Sequence, residues 1–435
     1  MLDELLQAAT RQRSQRGLRR LLADCKRLLS EQGDLNGLPL ARALIGQLDT
    51  LDESQLDGLL DYLASELAPD PAQVLICAQA YADQPTPESL NALTSAAEPP
   101  RQELLRRLNR TPGGTAAILR LRRALLRRLP RHPELRALES DLLHLLTSWF
   151  NPGFLRLERV DWDSPARLLE KVIQHEAVHE IDGWDDLRRR LRPDRRMFAF
   201  FHPQLPGEPL IFVEVALLRE MPAAIAPLID KASEPLAAER FRVAAFYSIS
   251  NCEPGLRGVS LGNFLIKSVA EHLHSELPQL KTFCTLSPLP GFASWLLADP
   301  DLASLPAIEP RRLKRLLAAR ATLLGACGGD LSALQHSACH DSLPTNAQAA
   351  LLALGSAYLL QVSTTPQGDP VARFHLDNGA GLERLNLCGN MATKGLRQSF
   401  GLMVNYLYDL DEIEASHARF RAGEVTHSRA VAKLI

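Results

Sequence analysis

No Cys-x-x-Cys pair occurs in the sequence: its seven cysteines, at 25, 77, 252, 284, 327, 339 and 388, are odd in number and widely spread. That removes the usual zinc and dithiol redox spacings and indicates a reducing compartment. No uninterrupted apolar run approaches the roughly 18 residues a membrane span requires. Asp3 and Glu4 precede any apolar run, which is unlike a secretory leader. A cytoplasmic protein with no membrane partner is expected. Charge of one sign is also missing: 49 Lys and Arg against 51 Asp and Glu leave −2, so no overall positive field gathers nucleic acid. The phosphate-loop Gly-Lys-Ser/Thr and Gly-x-Gly-x-x-Gly are both absent. Standard nucleotidase and dinucleotide-binding readings therefore lack their first evidence.

What is present is the composition of an ordinary folded protein, with 46% hydrophobic and 23% charged residues. At roughly 150 residues per domain, 435 residues predict two or three. The grammar divides near residue 150. Before it, Leu and Ala recur at helical spacing, with stripes Leu18, Leu21, Leu22, Cys25, Leu28, Leu29 and Leu56, Leu59, Leu60, Leu63, Leu67. The arginines of Arg120 to Arg131 read as a solvated helix face, and Thr115 as an N-cap after the turn Thr111-Pro112-Gly113-Gly114. Beyond Asn151-Pro152-Gly153, strand candidates appear at 196–201, 209–217, 241–250, 280–286 and 402–410, with helical patterns at 264–277 and 311–324 between them. Residues 325–345, rich in Gly, Ser, Cys and His, read as a loop or an insertion between helices. The expected fold class is α+β: an all-α helical bundle over 1–150, then a mixed α/β domain over 151–435.

The loudest short motif is His175-Glu176-Ala177-Val178-His179. It fits the zinc-protease pattern, yet Asp182 and Asp185 occupy the Gly and His places of the extended metzincin pattern. An amphipathic helix whose histidines share a face is expected, with no metal. A quieter pattern carries more chemistry: a strand to Ser250, the glycine-containing loop Asn251 to Asn263, then a helix. The first turn of a helix presents unpaired N–H groups that favour a pyrophosphate. Arg257-x-x-Ser260-x-Gly262 resembles the coenzyme A loop of the GNAT-like (acetyltransferase) fold. The next strand opens into Ser287-Pro288-Leu289-Pro290-Gly291-Phe292, and further on stands Pro370-Val371-Ala372-Arg373-Phe374-His375-Leu376.

With Gly255–Gly262, Leu286–Phe292, Pro370–Leu376 and Gly401-Leu402-Met403-Val404-Asn405-Tyr406-Leu407-Tyr408, the chain resembles the malonyl-CoA decarboxylases over nearly its whole length. The resemblance implies an N-terminal helical domain used for homodimer or homotetramer assembly and a GNAT-like catalytic domain. It places the family's catalytic serine and histidine on Ser287 and His375 and its active-site tyrosine on Tyr408. It places the coenzyme A loop on Arg257, Gly258, Val259, Ser260, Leu261, Gly262 and Asn263. Malonyl-CoA is the implied substrate and acetyl-CoA the product, with neither metal nor organic cofactor. Loss of carbon dioxide leaves an enolate, so donors must polarise the thioester and a group must protonate carbon. The expectation is that Ser287 and His375 orient the carboxylate, that His375 gives the proton, and that Ser287 is not acylated. Phe292, Phe374 and Leu289 are expected as apolar walls. An acyltransferase of the same fold and a CoA-binding scaffold without chemistry stand as alternatives.

Overall fold

The computed structural model describes residues 2–306 and 308–435, the side chains of residues 2–10, 31–36, 263 and 264 excepted. The chain forms two compact units: Met1–Leu155 with Phe201–Glu208 and Glu253–Ser260, and Arg156–Phe200 with Pro209–Cys252 and Leu261–Ile435.

The first unit is built mainly of helices, and local signals set their ends. Asp52 and Gln55 form a capping box that opens Glu53–Ser65, which then buries Leu59, Leu60, Tyr62 and Leu63 as the spacing predicts. Helix Gly114–Arg128 starts one residue before the expected cap: Gly113, at φ 82°, is the N-cap. Thr115 lies inside the helix with Oγ1 2.7 Å from Asn109 Oδ1. Position 114 must be glycine, because a Cβ there would lie 1.9 Å from the Leu108 carbonyl oxygen. Helices Pro71–Asp83 and Pro87–Ala97 bury no residue, and Leu75, Ile76 and Leu90 are exposed.

The second unit carries an eight-stranded mixed sheet: β1 (Arg156–Val160), β2 (Arg195–Phe201), β3 (Pro209–Leu218), β4 (Val243–Asn251), β5 (Thr282–Thr285), β6 (Ser287–Pro288), β7 (Gly381–Asn386) and β8 (Met403–Tyr408). The order is β1-β2-β3-β4-β5-β8-β6, with β7 also on β8. All five expected strands are found; β1, β6 and β7 were not anticipated. Residues 325–345 are not a plain loop but hold the short helices Leu331–Gln335 and Ser337–Asp341, the first opened by the Asp330 side chain. Helix Gly262–Glu276 sinks Leu265, Ile266, Val269, Ala270 and Leu273 completely into the core.

One break in the sheet positions the site. Strands β4 and β5 run parallel only from Val243–Phe246 against Thr282–Thr285. Beyond that, β4 stays on β3, while the chain after β5 stays on β8, which pairs Phe283 and Cys284 and then Ser287 and Pro288 in one register. The sheet splits there. Along β3 and β4 the register slips at Glu214/Val215, leaving Tyr247 as the extra residue of a bulge. Bulges bend and twist a strand locally, which widens such a gap.

Candidate active site

Three elements bring Ser287, His375 and Tyr408 together at the split. Ser287 starts β6, His375 lies in the helix Pro370–Asp377, and Tyr408 ends β8. Ser287 Oγ lies 3.0 Å from His375 Nε2, and His375 Nδ1 lies 2.9 Å from Tyr408 Oη. Ser287 Oγ–H donates to Thr285 Oγ1 at 2.9 Å, and Thr285 Oγ1 accepts in addition from the Tyr406 N–H. Thr285 was missed in the sequence, although the two-residue period of a strand puts it on the face of Ser287. The Tyr406 ring stacks on His375 with centroids 4.7 Å apart.

Burial and hydrogen-bond direction define the state of this chain. His375 is 3% exposed, and burial pushes its pKa down to about 3, so the ring is neutral at physiological pH. Burial holds the Tyr408 phenol well above its usual value of 10. A buried phenol carries one proton and must donate it; among the described residues the partner of Tyr408 Oη is Nδ1. Nδ1 is therefore the acceptor, and the proton of the neutral imidazole sits on Nε2, facing Ser287. Each hydroxyl then donates once: Tyr408 to His375, Ser287 to Thr285.

A cavity of about 270 Å³ opens beside these groups, lined by Ser287, Pro288, His375, Phe374 and residues Phe246 to Ile249 among others. No Lys or Arg is among its described lining residues. Of the expected walls only Phe374 lines it. Phe292 and Leu289 are fully buried instead, Phe292 packing against Tyr358 and Phe400.

The His-Glu-x-x-His segment is not a helix face, contrary to expectation. Helix Ala166–His175 ends at the first histidine, and Glu176 is extended. Its buried carboxylate accepts from Ser248 Oγ at 2.7 Å, Ser250 Oγ at 3.0 Å, and the N–H groups of Val178 and His179 at 2.9 and 2.8 Å. Those four donors make a better partner for a buried charge than another helical turn. From the other side Lys394 Nζ donates to the Ala177 carbonyl at 2.7 Å. The strap so held presents Val178 to the cavity.

Within the predicted coenzyme A loop, Arg257, Gly258 and Ser260 are exposed and Val259 is half-buried. Gly258 has φ 87°. Leu261 and Gly262 are buried, and a Cβ at 262 would lie 2.2 Å from the Phe374 ring. The Asn263 side chain lies outside the described residues. No side chain caps the 15-residue helix that begins at Gly262. Arg122, expected to be solvated, is 1% exposed. It donates to the carbonyls of Gly255 at 2.6 Å and Arg257 at 2.7 Å while paired with Glu139 at 2.6 Å. An arginine count along a helix does not reveal carbonyls arriving from residues 133 and 135 positions away.

Fold and site together define a class: a helical unit and a mixed α/β unit whose split sheet holds a buried serine–histidine–tyrosine chain at an apolar cavity. Profiles of the malonyl-CoA decarboxylase N-terminal and C-terminal domains match residues 67–150 and 153–435. The mitochondrial malonyl-CoA decarboxylase of Mus musculus is 37% identical over 342 residues, covering 74% of this chain and 68% of that protein. The crystal structure of malonyl-CoA decarboxylase from Rhodopseudomonas palustris is 46% identical, with a TM-score of 0.83 and coverage of 96% of this chain and 99% of that one. For the enzyme from Agrobacterium vitis the values are 44%, 0.81, 95% and 99%. The chain belongs to the malonyl-CoA decarboxylase family, a family of carboxy-lyases. Among the described residues no helix is long and apolar enough to cross a membrane.

Proposed function

We propose that this chain converts malonyl-CoA to acetyl-CoA and carbon dioxide in the cavity beside Ser287 and His375. The observation that carries the reading is the directed chain Tyr408–His375–Ser287 at an apolar cavity without cationic lining. A carboxylate taken from water into such a place loses solvation that its transition state, with charge spread into the thioester, needs less. Cleavage of the C–C bond sends the electron pair to the α-carbon and thioester oxygen and releases carbon dioxide. His375 Nε2–H then protonates carbon while Nδ1 takes the Tyr408 proton; water re-protonates Nε2, leaving hydroxide, and the Nδ1 proton returns to Tyr408, which restores the starting tautomer. An enolate is a far stronger base than a phenolate, so the transfer runs downhill. Ser287 keeps its proton, because the nitrogen facing it already bears one; it orients the carboxylate and is not acylated. No step calls for a metal or organic cofactor, since the thioester itself delocalises the charge.

For the nucleotide end, the reading is that Arg257 to Asn263 cradle the pyrophosphate. An uncapped helix start, the exposed Arg257 and the left-handed Gly258 support it. Leu261, being buried, offers only its main chain. The split between β4 and β5 supports a GNAT-like sheet. The boundary near residue 150 separates a helical domain for self-assembly from the catalytic domain, and the exposed Leu75, Ile76 and Leu90 suit assembly into a homodimer or homotetramer. Seven cysteines, none of them in a disulfide, fit a reducing compartment, for which the cytoplasm is proposed.

The test is purified protein with malonyl-CoA alone. Acetyl-CoA and carbon dioxide should form in equal amounts, unchanged by a chelator. Ser287→Ala and His375→Ala should lower kcat by roughly 10²–10⁴-fold, the range of general acid–base groups, with CoA binding retained. Absence of acetyl-CoA from the unsubstituted protein rejects the activity, and full turnover by both variants rejects the site. The same preparation is sized by light scattering, where a single-chain mass removes the assembly part.

A further inference from the structure

A buried carboxylate that the reaction does not use lies between the two segments carrying Ser287 and His375. Asp369 is 1% exposed. Its Oδ1 accepts from the N–H groups of Val371 and Ala372 at 2.9 and 3.1 Å, capping the helix of His375. Its Oδ2 accepts from the Gly291 N–H at 2.9 Å, and from Tyr358 Oη at 3.4 Å. Gly291 follows Ser287 by four residues, and Pro288 and Pro290 stiffen the span between them.

A cap alone does not account for this arrangement. Asp52, Asp70, Asp301 and Asp330 open other helices of the chain in the same way, and all four are exposed. Burying a carboxylate is costly unless its lone pairs are used, and burial pushes the Asp369 pKa up while the Gly291, Ala372 and Val371 N–H groups pull it back. What sets Asp369 apart is the second oxygen. Position 291 is shaped for the contact: a Cβ there would lie 2.3 Å from Tyr358 Oη.

Resting on the reading that Ser287 and His375 carry the chemistry, we infer that Asp369 is a positioning residue that joins the serine loop to the histidine helix and sets the 3.0 Å register between the two side chains. Both arms are stiff, one through proline and the other through helix. Their joint is a single carboxylate. Movement of about 1 Å at reacting groups costs on the order of 10²-fold in rate.

Asp369→Asn isolates the joint. Asn caps helices as well as Asp does, so its oxygen keeps Val371 and Ala372, while its NH₂ meets the Gly291 N–H donor to donor. The expected result is a kcat lowered about 10- to 100-fold, KM for malonyl-CoA within about twofold, and a melting temperature lowered by a few degrees, since two donors are left buried face to face. Because the effect passes through His375, Asp369→Asn added to His375→Ala should cost little more than His375→Ala alone. Gly291→Ala attacks the same joint from its other end and should give the same split; it decides the matter if Asp369→Asn is insoluble. A kcat within twofold of the unsubstituted protein, a loss carried in KM, or a loss fully additive with His375→Ala overturns the inference. If Ser287→Ala and His375→Ala themselves turn over normally, it is the underlying assignment that has failed.

Discussion

At His375 the tautomer is decided by its neighbour rather than by the ring. Tyr408 has no described acceptor other than Nδ1, so removing its hydroxyl frees Nδ1 to hold the proton and turns Nε2 into an acceptor for Ser287. Tyr408→Phe should therefore lower kcat at least about tenfold while KM stays within about twofold, because a misplaced tautomer disables a histidine without disturbing binding. Steady-state kinetics check this, and an unchanged kcat would show that the tyrosine does not direct the ring. Single residues were legible in the sequence to the degree that their chemistry is local. Ser287 stands at a strand exit and His375 before a turn, and both sit in motifs recognisable as strings of residues. Glu176 was hidden by a louder pattern: its zinc-like spacing means something only on a helix, and the helix stops one residue earlier. Asp369 reads as an Asp-Pro helix start, and nothing near it in the sequence tells that its second oxygen reaches Gly291, 78 positions away.

Among elements, visibility followed burial. Strand β3 is buried at nine of its ten residues, so its apolar run announced it; β6 is two residues long and β7 is partly exposed at half its positions, and neither produces a pattern. The split between β4 and β5 was likewise silent, because it lies in which residues fail to pair. Helix Gly114–Arg128 shows the converse: its arginines look uniform in sequence, yet Arg122 is buried whereas Arg120 pairs with Asp49 and Arg128 with Glu53 and Asp57 at the surface. Close approach explains the glycines that matter. Gly262 makes room for the Phe374 ring, which keeps the helix it opens in contact with the helix of His375.

Over the whole molecule, buried neutral histidines tie stability to pH. Burial pushes His179 to about 3, with Arg190 and Lys394 adding to the effect, and His375 to about 3. The ordinary value is 6.5. Between these limits the unfolded chain takes up protons that the folded chain refuses, so this share of stability is complete above about 6.5 and is lost as pH falls toward 3. Urea midpoints should fall from pH 7.5 to 4.5, and His179→Gln should flatten that decline; equal slopes for the two proteins would remove His179 from the account. A different electrical consequence follows from Arg122. Its guanidinium, sealed from water, grips the carbonyls of Gly255 and Arg257, and in a trans peptide the N–H opposes the C=O. The amide of Gly258 is thereby turned away from the guanidinium, whose charge Glu139 balances, so what the loop offers outward is an oriented peptide dipole. In the proposed cradle, holding by that dipole would be screened far less than holding by the exposed Arg257: a KM for malonyl-CoA that climbs only gently when sodium chloride is raised from 50 to about 300 mM assigns the larger part to the main chain, and a steep climb assigns it to Arg257.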